Sequence, residues 1–238
     1  MKSLLTFVTP PGPCEYLRDR TWQLQYELVA CATPDEYLDR LDSGWRRFGH
    51  AMFRPAGPSC DMCRSLRVMV ADFQPSRSQR RAWRDNRDLT LRIGAPSRSW
   101  SKEALRDRFQ RHQHESKGWP LETADYDDTF VVNPFPTEEW CYYDGDRLIA
   151  VGYVDRLRDG LSAIYCYYDP DARRRSLGTF NILALIAAAQ ASGLPYVYLG
   201  YFVEGCRSLA YKATFRPNEV LDPRRAWHPF RTVNREAG

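Results

Sequence analysis

Between residues 22 and 30 the side chains alternate. Trp22, Leu24, Tyr26, Leu28 and Ala30 fall on one side, and Gln23, Gln25, Glu27 and Val29 on the other. A period of two predicts a strand with the first set buried. Helix signals follow. Thr33-Pro34-Asp35-Glu36 supplies an N-cap, a first-turn proline and the glutamate of a capping box. Tyr37, Leu38 and Leu41 form the apolar stripe of that helix, and Gly44 ends it. Residues 48–54 and 64–73 read as strands on either side of a cysteine-containing loop. Ser76 and Gln79 open a second helix with another capping box. Residues 101–116 form a third, with Leu105, Phe109 and His112 on one side, and the acidic stretch 122–128 reads as a loop.

The second half is patterned more sharply. Residues 138–143, 147–155 and 161–168 are three strands, with Asp144-Gly145 and Asp159-Gly160 at the two turns. An arginine-rich loop then leads into residues 179–192, apolar on every side and therefore a buried helix. Gly193 stops it, Tyr196–Phe202 is a buried strand, and 206–213 a short helix. Strands and helices in this order predict an α+β fold built on a mixed sheet with flanking helices. Gly94-Ala95-Pro96-Ser97 marks a soft division into residues 1–98 and 99–238.

Composition changes the picture little. With 43% hydrophobic and 13% aromatic residues the chain is globular, and no apolar run is long enough to span a membrane. The start, MKSLLTFVTPPGP, lacks the apolar run and cleavage site of a signal peptide, so a cytoplasmic location is expected. Charge changes it more. The net charge is only +4, but residues 64–118 carry fourteen basic against six acidic residues, and 119–172 three against twelve. Basic blocks flanking an acidic one suit a polyanion-binding face, although solvated helix faces have the same composition.

Four constellations carry candidate chemistry. Arg173-Arg174-Arg175-Ser176-Leu177-Gly178 lies between a strand and a helix, where free backbone N–H groups meet the positive end of the helix dipole. N-acetyltransferases hold the coenzyme A pyrophosphate on such a turn, although Ser176 stands here for the first glycine of their pattern. Arg77, Arg80, Arg81 and Arg84 share one helical face; like charges so placed ask for an anionic partner such as phosphate. Cys60 and Cys63 form a C-x-x-C knuckle and Cys14 lies in another Pro/Gly loop, a donor set suited to a soft metal, with His50 as a conceivable fourth ligand. Cys31, Cys141 and Cys166 read as buried strand residues. Finally, Glu204 ends the strand 196–202, with Tyr211 and Lys212 after it. This places a base and a cation at a strand end, while the rest of the segment reads as core.

Several segments together resemble a known family. They are Phe48–Ala56, Pro75–Arg81, Cys141–Leu148, Tyr167–Asp171 with Ser176-Leu177-Gly178, and Tyr198–Tyr201 with Glu204–Cys206 and Ala210–Ala213. Across residues 14–222 the chain resembles the aminoacyl-tRNA–protein transferases. These include the eukaryotic arginyltransferases and the bacterial leucyltransferases acting on N-terminal Asp and Glu. The compact length looks like the bacterial branch. The resemblance implies a duplicated, N-acetyltransferase-like (GNAT-like) architecture, and an aminoacyl-tRNA and proteins with N-terminal Asp or Glu as partners. The product would be an N-degron. It requires no cofactor, although a zinc or iron–sulfur site on Cys14, Cys60 and Cys63 is a family feature. Gly57 and Leu17 occupy positions where relatives carry further thiols.

The implied reaction moves leucine, or arginine, from a tRNA ester to a protein α-amine. Glu204 is the expected base and Lys212, or the arginine stripe, the cation for the acceptor's side chain. Tyr201 and Tyr211 would line the aminoacyl pocket, and Arg77, Arg80, Arg81, Arg84 and Arg173–Arg175 with Ser176 and Gly178 would hold phosphates. The alternatives are a coenzyme A-dependent N-acetyltransferase and an RNA-binding module without catalysis.

Overall fold

The computed structural model describes residues 1–57, 61–121 and 123–230. Four antiparallel strands form a small sheet: β1 (Lys2–Val8), β4 (Leu24–Cys31), β5 (Arg46–Phe48) and β6 (Ala51–Pro55), in the order β1-β4-β6-β5. A short ribbon, β2 (Gly12–Pro13) and β3 (Thr21–Trp22), lies between the first two. The large sheet has β7 (Arg64–Met69), β8 (Thr90–Gly94), β9 (Thr137–Asp144), β10 (Arg147–Arg156), β11 (Gly160–Tyr168), β12 (Tyr196–Phe202), β13 (Asn218–Leu221) and β14 (Trp227–Pro229). Its order is β14-β13-β7-β12-β11-β10-β9-β8, so it takes strands from both sides of residue 98. The helices are α1 (Pro34–Asp42), α2 (Arg77–Arg84), α3 (Trp100–Lys117), α4 (Leu177–Ala191) and α5 (Arg207–Ala210). None of them is long and apolar enough to cross a membrane.

Local signals act as their chemistry requires. Both capping boxes close, Thr33 with Glu36 and Ser76 with Gln79. Gly145 takes the positive φ of the β9–β10 turn. Gly160 serves another purpose. A Cβ there would stand 2.5 Å from the Tyr196 carbonyl, so glycine is required where β11 meets β12, not by the turn itself. α4 is buried on most sides because β11 and β12 cover one flank, while α2 packs on another through Trp83 and Phe180, 5.5 Å apart. Burial of a side chain such as Leu185 stabilises the fold by about 1.5–3 kcal/mol.

Three expectations change. β4 buries Leu24, Glu27 and Val29, whereas Tyr26 lies on the other face between the rings of Phe7 and Phe53. The face packed towards α1 is therefore the one with Glu27, which accepts from Arg40 of that helix. Cys31, at the end of the strand, is exposed rather than buried. The acidic stretch is not all loop: Tyr126 and Phe130 are buried in a π-helical turn, Asp127–Val131, against α3. On α3 itself the buried stripe runs Lys102, Leu105, Arg106, Phe109 and Gln113, not His112, because i+4 from Phe109 is Gln113.

Candidate active site

The sheet opens in one place. β11 and β12 run parallel for three residue pairs, Gly160–Tyr196 to Ser162–Tyr198, and then separate. An extra residue on β11, Ile164, interrupts its register with β10 between Tyr153 and Val154, and a second irregularity at Leu199 interrupts β12. Gly200 beside the latter has φ +76°. Bulges bend strands. The two strand ends diverge and leave a cleft of about 510 Å³ at their carboxyl ends, where open sheets with helical crossovers expose a crevice.

Each wall comes from a different element. β11 supplies Ala163, Ile164, Tyr165, Cys166 and Tyr168, and the first turn of α4 supplies Leu177, Gly178 and Thr179 after Arg173 and Ser176. α3 and the residues after it bring Phe109, Gln113, Lys117 and Trp119. The far wall is Arg207 to Leu209 of α5 with Tyr211 and Lys212. Among the described residues lining the cleft there is no Asp, Glu or His, whereas Lys117, Arg173, Arg207 and Lys212 are all cations.

Ser176 is the N-cap of α4 in the left-handed region, φ 54°, and its side chain makes no capping hydrogen bond. The first-turn N–H groups are left without a capping side chain, and Leu177, Gly178 and Thr179 of that turn line the cleft. Lys212 donates from Nζ to the Tyr201 carbonyl at 3.2 Å. Burial, helped by the positive charge of Arg46, lowers its pKa to about 8. Burial raises the Tyr211 hydroxyl and pushes the Cys166 thiol up to about 12, so Cys166 is no nucleophile at neutral pH.

The predicted residues divide. Ser176, Gly178, Arg173, Tyr211 and Lys212 share the cleft. Arg174 is exposed beside it. Arg175 is held inside the fold: it pairs with Asp88 at 2.8 Å and Asp144 at 3.1 Å and donates to the Asp85 carbonyl. Asp85 and Asp88 follow α2, so Arg175 ties the basic turn to the end of the arginine-striped helix. At the other end of α2, Gln79 donates to the Thr214 carbonyl, next to the turn that holds Lys212. Arg77, Arg80, Arg81, Arg84 and Arg87, with Ser76 and Ser78, line an open groove of about 910 Å³.

Two residues leave the site. Tyr201 faces the small sheet, where its hydroxyl donates to the Gly44 and Phe53 carbonyls. The strand's alternation past Gly200 turns it away from the cleft. Glu204 is exposed on the turn after β12 and lines no part of the cleft. Two of the three predicted thiol ligands come together. Cys14 and Cys63 line one pocket of about 360 Å³ with Trp22 and Val203, and Cys60 lies outside the described residues. His50 is engaged with the Val29 carbonyl through Nδ1. Among the described residues no three Cys, His, Asp or Glu are arranged to hold a metal ion.

Sequence reasoning missed Arg46, Trp119 and Lys117. The Arg46-Arg47 doublet inside a strand-like segment was a signal for the first, because two charges in a strand place one on each face.

Comparison with known proteins identifies the family. Residues 12–81 match the model of the arginine-tRNA-protein transferase N terminus, and residues 101–222 that of its C terminus. An aspartate/glutamate leucyltransferase of Campylobacter jejuni is 36% identical over 90% of this chain and 92% of its own. One from Nitrosococcus oceani is 37% identical over 92% of this chain and 93% of its own. Among solved structures, L-PGS from Bacillus licheniformis superposes with a TM-score of 0.46 and 14% identity, covering 74% of this chain and 54% of that one. Two domain models in order and relatives matched nearly end to end place this chain in the aminoacyl-tRNA–protein transferase family.

Proposed function

We propose that this protein transfers leucine from leucyl-tRNA to the α-amine of proteins that begin with Asp or Glu, which makes it an aspartate/glutamate leucyltransferase. The observation that carries this reading is end-to-end similarity to enzymes of that name, joined to a cationic cleft flanked by an arginine groove.

An ester is already activated, so the reaction needs no covalent enzyme intermediate. The acceptor nitrogen attacks the ester carbonyl, the C–O bond to the 3′ oxygen breaks, an amide forms, and the amine's proton ends on that leaving oxygen. The α-amine has an ordinary pKa of about 8. Cations around it favour the neutral nucleophile, and the same charges stabilise the oxyanion of the tetrahedral intermediate. A carboxylate base such as Glu204 is then unnecessary, which fits a cleft lined without one. Lys212 meets the acceptor's acidic side chain. The Arg77–Arg84 groove and Arg173 take phosphates near the tRNA acceptor end, where backbone and shape outweigh base identity. Tyr165, Tyr168 and Trp119 give the apolar surface that a leucyl group and a terminal base require. We extend the reading to an N-acetyltransferase-like plan for the large sheet, supported by its meander, helical crossover and splaying parallel pair. The small sheet is the candidate second copy. The cysteines contribute no step.

The test is transfer to a peptide beginning with Asp, with leucyl- and arginyl-tRNA supplied separately. Extension by one leucine is expected. Folded protein that extends the peptide from neither tRNA overturns the reading. Thermal protection by acetyl-CoA would move it to a coenzyme A-dependent acetyltransferase.

A further inference from the structure

Arg46 is 6% exposed, yet its Nε and Nη2 have no hydrogen-bond partner. Its remaining nitrogen donates to the adjacent Trp45 carbonyl at 2.7 Å. A buried guanidinium normally recruits a carboxylate, because an unpaired charge in the interior is expensive. The carboxylate that acts on Arg46, Asp42, is already bonded to Trp227 Nε1 at 2.9 Å and approaches Arg67 at 3.9 Å. The other groups around Arg46 are the hydroxyls of Tyr37, Tyr198 and Tyr201.

A second cation stands next to it. The guanidinium lies 5.7 Å from the centre of the Tyr201 ring, and the carbonyl of that same residue accepts from Lys212 Nζ. Arg46 and Lys212 are close enough to repel. Gly200, whose φ of +76° suits glycine, lies beside the ammonium, where a Cβ would stand in ordinary contact at 3.6 Å from Nζ. Arg46, buried, and Lys212, half-buried in the cleft, flank Tyr201, and Arg46 has two free donors. The fold supplies the charge and the donors, and a ligand is needed to supply the anion.

Building on the leucyltransferase reading, we propose that Arg46 and Lys212 together form the subsite that reads the carboxylate of the acceptor's first side chain. Lys212 meets it at the cleft surface, and Arg46, one layer deeper, supplies the second charge and the directed N–H groups. A planar guanidinium selects a carboxylate over the isosteric carboxamide, because the amide's NH2 would face donors with a donor. Asp and Glu are then accepted, and Asn and Gln refused, for one electrostatic reason.

The experiment compares peptides that differ only in Asp against Asn at the first position, with leucyl-tRNA as donor. The wild-type protein, Arg46→Met and Arg46→Lys are assayed side by side. In Arg46→Met the Asp-over-Asn preference in kcat/KM should fall by at least about tenfold, with the loss in KM for the Asp peptide. Arg46→Lys keeps the charge without the fork and should fall between. If the Met variant does not fold by thermal melting, the Lys variant is read alone against the same criterion. A preference within twofold of wild type in a folded variant, however slow its turnover, overturns the proposal and makes Arg46 a structural residue. A wild-type protein that transfers leucine to neither peptide fails the functional reading instead, so the two failures are distinct.

Discussion

Two adjacent arginines on β5 have opposite surroundings. Arg47 points into the interior towards β10, where Nε donates to Asp155 at 2.7 Å, a second donor reaches the other oxygen, and Asn133, Thr137 and the Gly49 carbonyl complete its contacts. Burial disfavours its charge, but Asp155 more than offsets this and raises its pKa above the usual arginine value. Arg46 points the other way, towards Tyr201 and Lys212, and burial lowers its pKa with no paired carboxylate in compensation. Both are nearly inaccessible. Burial alone therefore says little about role, and the partner set says much: a satisfied charge holds the fold together, and an unsatisfied one waits for a ligand. The exposed arginines of α2 extend the second class, since Arg77, Arg80 and Arg81 make no ion pair among the described residues.

The largest effect should come from the satisfied member. Asp155→Ala strands Arg47 without its carboxylate, and urea unfolding should show a loss of about 3–5 kcal/mol. A loss below about 1 kcal/mol would erase the distinction. Next come the α2 arginines. Arg77→Ala, Arg80→Ala and Arg81→Ala together should flatten the dependence of log K for tRNA on log salt by about 2, because each phosphate contact contributes about 0.7–0.9 to that slope. An unchanged slope would clear the groove of an RNA role.

Arg46→Met should change stability by less than about 1 kcal/mol, or raise it, because it removes a buried charge that has no carboxylate to strand. A loss as large as that of Asp155→Ala would place Arg46 with Arg47. A pH dependence completes the set. Lys212 binds its proton up to the ordinary lysine value of 10.5 in the unfolded chain, but only to about 8 in the fold. Between those limits the unfolded chain holds more protons, so wild-type stability should rise with pH from about 8 to 10.5 relative to Lys212→Met. Titrating both proteins by thermal melting checks it, and parallel curves would show that Lys212 is not the desolvated group.

Legibility followed the range of the interaction. Capping boxes, the Gly145 turn, the meander and the buried crossover helix were readable because each depends on residues a few positions apart. The basic turn before α4 was readable for the same reason, and five of the predicted residues share the cleft. Tyr201 and Glu204 were placed there by proximity in sequence. The irregularity at Leu199 and Gly200 shifts the strand's alternation, and the turn after Val203 carries Glu204 into solvent. The face of β4 was misread because α1, rather than the strand's own apolar set, decided which side was covered. The pairing of Arg175 with Asp88 and Asp144 spans 87 and 31 residues and has no local trace.

The sequence by itself determined the five helices, the meander, the strand after the crossover helix, the two arginine clusters and the family, because periodicity, caps and motifs are written within a few residues of one another, whereas β1, β8, β13 and β14 carried no such signal. Only the tertiary structure decided that β11 and β12 part after three residue pairs, that the cleft between them is lined by cations and, among the described residues, by no carboxylate, and that Arg46 is buried beside Lys212 with donors to spare. The physical reason is that a charge acquires its role from the partners the fold brings to it, and those partners come from strands and helices far apart along the chain.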